Sequence, residues 1–85
     1  MKILETSKFQ KLRKKIKEES EKEGLKSAIK NILNEPKVGK NLKGELKGLK
    51  SLKYFVNGQH RRLIFKIEED ILYLFSFGPR EGAYK

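Results

Sequence analysis

The pair Asn57-Gly58 stands between two strand-like runs, 49–56 and 61–67. Asn-Gly is the strongest short-range signal for a two-residue type I′ turn, because both central residues of that turn need positive φ. A loop this short leaves the pairing no freedom. Val56 faces Gln59, Phe55 faces His60, Tyr54 faces Arg61 and Lys53 faces Arg62, and a slip by one residue would exchange the two faces of the sheet. Two cations therefore oppose each other across the strand pair. Like charges in that position cost stability, so the arrangement points to an anion held between them.

The next connection, Glu68-Glu69-Asp70, reads as a three-residue polar loop leading to a third strand over 71–77. That loop pairs Ile67 with Ile71, Phe65 with Tyr73 and Leu63 with Phe75. Leu63, Phe65, Ile67, Ile71, Tyr73 and Phe75 then share one apolar face. The other face carries Lys53, Arg62, Ile64, Leu74 and Ser76, with Phe55 and His60 toward the hairpin tip. Gly78-Pro79 is expected to turn the chain and present Arg80, with Tyr84 shortly after.

Upstream, 1–5 reads as a short edge strand. Ser7 followed by Gln10 has the spacing of a capping box, and Phe9, Leu12 and Ile16 recur at helical intervals. Gly24 interrupts the pattern as a C-terminal cap. A second helix follows, with Leu25, Ala28, Ile29, Ile32 and Leu33 on one face, and it ends before Pro36. Residues 37–48 place a lysine every three or four positions, but Gly39, Gly44 and Gly48 make this an exposed lysine-rich loop rather than a helix. The reading is an α+β fold in a single domain, 1–85. A two-helix hairpin packs on one face of a small, mainly antiparallel β-sheet in the order β-α-α-β-β-β.

The formal charge is +10, and between residues 37 and 62 there are eight basic residues against one acid, Glu45. Such a concentration favours phosphates or an acidic protein as partner. With no cysteine, neither a disulfide nor thiolate chemistry is available. No apolar run approaches the roughly 20 residues needed to span a bilayer. A cytoplasmic protein with no membrane partner, no metal and no cofactor is expected.

The segments Ile32-Leu33-Asn34-Glu35-Pro36, Leu42-Lys43-Gly44, Arg62-Leu63-Ile64-Phe65 and Gly78-Pro79-Arg80 with Tyr84 give a further lead. In that order and spacing, the sequence resembles the RelE/ParE superfamily of type II toxin–antitoxin toxins, and more closely its RelE-like branch. The resemblance implies a RelE-like toxin domain that acts as a ribosome-dependent endoribonuclease (an mRNA interferase), with the ribosome, mRNA and a RelB-like antitoxin as partners. Lys53, Arg62, Arg80 and Tyr84 match the family's catalytic positions, and Lys43 matches a basic residue that contacts RNA. Lys47, Lys50, His60 and Lys66 extend the RNA-binding set. One position departs: where the family often carries a second Lys, this chain has Phe55. Two alternatives stay open, a ParE-like toxin that inhibits DNA gyrase and a homologue that binds RNA but cuts it weakly.

Overall fold

The computed structural model describes residues 1–79. Strand β1 (Lys2–Glu5) leads into helix α1 (Ser7–Lys14) and helix α2 (Glu19–Asn34). A two-residue strand β2 (Lys40–Asn41) and a 3₁₀ turn (Gly44–Leu46) precede β3 (Lys50–Val56), β4 (Gln59–Glu68) and β5 (Ile71–Pro79). The sheet order is β1-β5-β4-β3-β2, with β1 parallel to β5 and every other neighbour antiparallel. This is the expected α+β arrangement of two helices on a mainly antiparallel sheet, with one small strand added inside the lysine-rich loop. No helix among the described residues is long and apolar enough to cross a membrane.

The core forms where the helical stripes meet one face of the sheet. Phe9 from α1 and Leu25, Ala28 and Ile32 from α2 are buried against Tyr54, Val56, Leu63, Phe65, Leu72 and Leu74. At about 25 cal/mol per Å² of apolar surface removed from water, burying this set supplies the main force for folding. Arg13 forks onto the Glu5 carboxylate and fastens α1 to the edge strand.

Two local expectations give way to better physical solutions. The N-cap of α1 is Thr6, one residue before Ser7: its Oγ1 accepts from the Phe9 amide at 3.1 Å and donates to the Phe75 carbonyl at 3.0 Å. Gly24 is not a cap but lies inside α2, at its closest approach to β3. A Cβ there would lie 2.6 Å from Cγ2 of Val56. Pro36 does end the helix as expected, since α2 stops at Asn34.

The first hairpin has the register the Asn-Gly turn requires, from Val56↔Gln59 to Lys53↔Arg62. The second does not follow the three-residue loop. Glu69 and Asp70 both adopt positive φ, 51° and 63°, and close a two-residue turn, so Glu68 pairs with Ile71 and Ile67 with Leu72. A bulge between Ile64 and Phe65 skips Phe75 and restores the alternation. Leu72, Leu74 and Phe77 consequently face the helices, while Ile71 and Tyr73 take the opposite side. Leu63 faces Phe77 rather than Phe75, and Phe77 meets Phe9 edge-on at 5.1 Å. Gly78 and Pro79 do not turn the chain; they continue β5 and pair with Arg62 and Arg61.

Candidate functional site

Four predicted or neighbouring side chains come together on the helix-free face near the β3–β4 hairpin. Lys53 and Arg62 are paired across the strands, and Phe55 and His60 form the next pair toward the turn. Counting back from the two-residue loop, Lys53 and Arg62 fall on a non-hydrogen-bonded pair, where Cα atoms approach to about 4.5 Å and side chains are closest. The Phe55 and His60 rings meet at a tilt, with centroids 4.6 Å apart, and Phe55 is 57% exposed.

Arg62 is half-buried, and Lys53 beside it is exposed. One Arg62 Nη donates to Ser51 Oγ at 3.3 Å, and its Nε is buried with no hydrogen-bond partner among the described residues. A buried guanidinium N–H without an acceptor is unfavourable. The ion pairs among the described residues engage the N-terminus, Arg13, Arg61 and Lys66, never Lys53 or Arg62. The two cations are thus held together without a counter-charge among those residues. Ser51, which the sequence reading passed over, has the same orientation as Lys53 by strand alternation and was legible on that ground.

The remaining predicted residues lie elsewhere. Lys66 is four residues along β4 from Arg62, about 13 Å at strand rise. Its ammonium pairs with Glu68 at 3.3 Å and caps the Tyr73 ring at 5.0 Å. Lys50 pairs with Phe65, on the helix side of the sheet, and its Nζ reaches the carbonyls of Pro36 and Lys37 at 3.5 and 3.4 Å. Lys43 and Lys47 flank the 3₁₀ turn and line a cleft with Lys37. Arg80 and Tyr84 lie outside the described residues.

On the helix side, Arg61 meets Glu21 of α2 at 2.8 Å and so ties the second strand to the helix. Beneath this pair the Tyr54 hydroxyl is buried without a hydrogen-bond partner among the described residues. Burial first, and the nearby Glu21 carboxylate second, push the Tyr54 phenol well above its ordinary pKa.

Two helices on one face of a mainly antiparallel sheet, with a Lys–Arg pair on the other that has no counter-charge among the described residues, define a small basic α+β protein with a cationic face. A family model described as the ParE-like toxin of type II bacterial toxin–antitoxin systems matches residues 3–85, and the chain belongs to that family. Membership of a type II system implies an antitoxin as partner. No curated protein matches the chain. The family match supports the RelE/ParE superfamily read from the sequence.

Proposed function

We propose that this toxin is a ribosome-dependent endoribonuclease that cleaves mRNA by attack of a ribose 2′-OH on the adjacent phosphate. The observation that carries this reading is the Lys53–Arg62 pair, two cations facing each other with no carboxylate partner among the described residues. In the reaction the 2′-O–P bond forms and the P–O5′ bond breaks, leaving a 2′,3′-cyclic phosphate and a 5′-OH. Arg62 stabilises the charge that develops on the non-bridging oxygens, a task suited to a planar guanidinium that is always charged. Lys53 donates the proton that the departing 5′ oxygen needs. By resemblance, Arg80 shares the charge stabilisation and Tyr84 takes the 2′-OH proton.

This chemistry requires a base, an acid and charge stabilisation, all of which side chains supply, so cleavage is expected to persist in EDTA. Loss of cleavage in EDTA that a divalent ion restores would overturn that part. The main test is primer extension on cellular mRNA after toxin induction: discrete 5′ ends in translated regions support the reading, and their absence during growth arrest sinks it.

A second reading is inhibition of DNA gyrase. Phe55 favours it, because an exposed aromatic replaces the lysine that the RelE-like branch often carries there and suits contact with a protein. Loss of gyrase supercoiling in the presence of the purified toxin, with mRNA intact, would select this reading.

A further inference from the structure

We propose that Phe55 is a base-stacking platform, whose ring takes the face of an unstacked RNA base while Lys53 and Arg62 hold the phosphate of the same nucleotide. The inference rests on the ribonuclease reading for the identity of the strand, and its test does not require cleavage.

Strand alternation puts Phe55 on the same side of β3 as Lys53, and His60 on the same side of β4 as Arg62. The two cross-strand pairs, Phe55 with His60 and Lys53 with Arg62, are adjacent rungs on this helix-free face. Two residues of strand separate Phe55 from Lys53, about 7 Å, a span that one nucleotide bridges from phosphate to base. The His60 ring lies against Phe55 at an angle of 57°, yet Phe55 keeps more than half of its surface exposed. A side chain with no hydrogen-bonding group offers its π surface there and nothing else.

An isolated exposed hydrophobe is ordinary; its setting is what singles Phe55 out. Lys53 and Arg62 enter no ion pair among the described residues, and the Arg62 Nε is buried without an acceptor among them. Cations that track phosphates beside an aromatic ring that stacks a base are the combination by which proteins hold single-stranded nucleic acid. A paired duplex hides its base faces, so such a site selects single strands.

The surroundings favour a base over a protein surface. An aromatic that anchors a protein contact sits within a packed, water-excluding patch. The other large hydrophobics exposed among the described residues are Met1, Ile3, Leu4 and Leu33. The first three lie in or beside β1, which is three strands from β3 across the sheet, about 14 Å. Leu33 is on α2, about 13 Å along the helix from Gly24, where α2 meets Val56. Phe55 instead has Lys53, Arg62 and His60 as neighbours on its own face, and the Asn57-Gly58 turn beyond them.

The chain contains no tryptophan, so Phe55→Trp places a single fluorescent reporter on the platform of the full-length toxin. The probes are a 12-nucleotide 2′-O-methyl RNA, which lacks the attacking hydroxyl and stays intact, and an abasic strand of equal length and charge. Fluorescein-labelled versions of both give affinities by anisotropy across a salt series for the wild type, F55L and F55K, each checked for an unchanged thermal unfolding midpoint. The base-bearing strand is expected to quench the F55W emission and the abasic strand to leave it unchanged. The wild type should prefer the base-bearing strand by about 10-fold, the contribution of one stacked base. F55L should lose that preference at an unchanged salt slope, and F55K should lose it while the slope steepens by about 0.7, one further phosphate contact.

Equal quenching by the two strands, or a preference that survives in F55L, overturns the platform. So does an F55L toxin that binds RNA like the wild type but no longer inhibits gyrase supercoiling, since that assigns Phe55 to a protein. If the preference depends on Phe55 while the wild type shows no cleavage on ribosomes, the platform stands and the ribonuclease reading fails. If the wild type cleaves and F55L keeps the preference, only the platform fails.

Discussion

Gly24 and Val56 set the distance between α2 and the sheet, because a methyl group on Gly24 would sit 2.6 Å from the Val56 Cγ2. Val56 is buried and β-branched, so its methyl has no rotamer into which it can retreat cheaply. Gly24→Ala gains about 1 kcal/mol of helix propensity and incurs an overpacking strain of about 1–3 kcal/mol. The expected outcome in urea denaturation is net destabilisation of about 1 kcal/mol. The G24A/V56A double variant should show a positive coupling between the two sites. A G24A variant more stable than the wild type would contradict the close approach.

Thr6 ties the start of α1 to the bulge in β5. Its hydroxyl caps the Phe9 amide and also satisfies the carbonyl of Phe75, the residue the ladder skips. Thr6→Ala removes both bonds and is expected to cost about 1–2 kcal/mol. Thr6→Ser keeps both and should lie within about 0.5 kcal/mol of the wild type. Chemical denaturation of the pair checks this, and equal losses in the two variants would count against the dual role.

Tyr54 makes stability depend on alkaline pH in one direction. Its phenol is raised in the folded state, by burial and then by the Glu21 carboxylate, above the ordinary value of 10.0. Below pH 10 the group is neutral in both states and its ionisation contributes nothing. Above it the unfolded chain releases the proton while the folded chain retains it, so stability falls as pH rises. Tyr54→Phe removes a buried hydroxyl that has no partner among the described residues and should stabilise the fold by about 1 kcal/mol at neutral pH. The gap between variant and wild type should widen above pH 10. Parallel stability profiles from pH 8 to 11 would overturn the assignment.

Where the local code admits one solution, the sequence was readable. Asn57-Gly58 has φ 51° and 79° and sets the whole β3–β4 register, Lys53 opposite Arg62 included. Glu69-Asp70 makes the same kind of turn although Glu seldom accepts positive φ, so composition pointed to a longer loop. That error misplaced Ile71, Tyr73 and Leu74, and only the bulge at Phe75 returned Ser76 to the side of Ile64. Gly24 misled in a different way: a glycine that ends a helix and one that lets a strand approach look alike in sequence, and only the packing of Val56 separates them. In the lysine-rich loop, chain order gave the charge. That Lys50 is spent on the Pro36 and Lys37 carbonyls, and that Lys37 joins Lys43 and Lys47, depends on a two-residue strand too short to leave a pattern.

Arg62 is the side chain on which the proposed chemistry depends most. It is half-buried, anchored on Ser51 Oγ at 3.3 Å, and faces Lys53 across the strands. Arg62→Ala should reduce mRNA cleavage on ribosomes by about 10²–10³-fold, the usual cost of one charge-stabilising donor. Arg62→Lys should recover little of this, because a point ammonium does not reproduce the guanidinium fork. Ser51→Ala loosens the anchor without removing the charge, so it should lower the rate by a smaller factor and leave RNA affinity nearly intact. Rates on programmed ribosomes, measured beside antitoxin binding to confirm folding, separate these cases. An R62A toxin that still cleaves at the wild-type rate would remove the phosphate-stabilising role from this face and leave Phe55 and the gyrase reading as the better account.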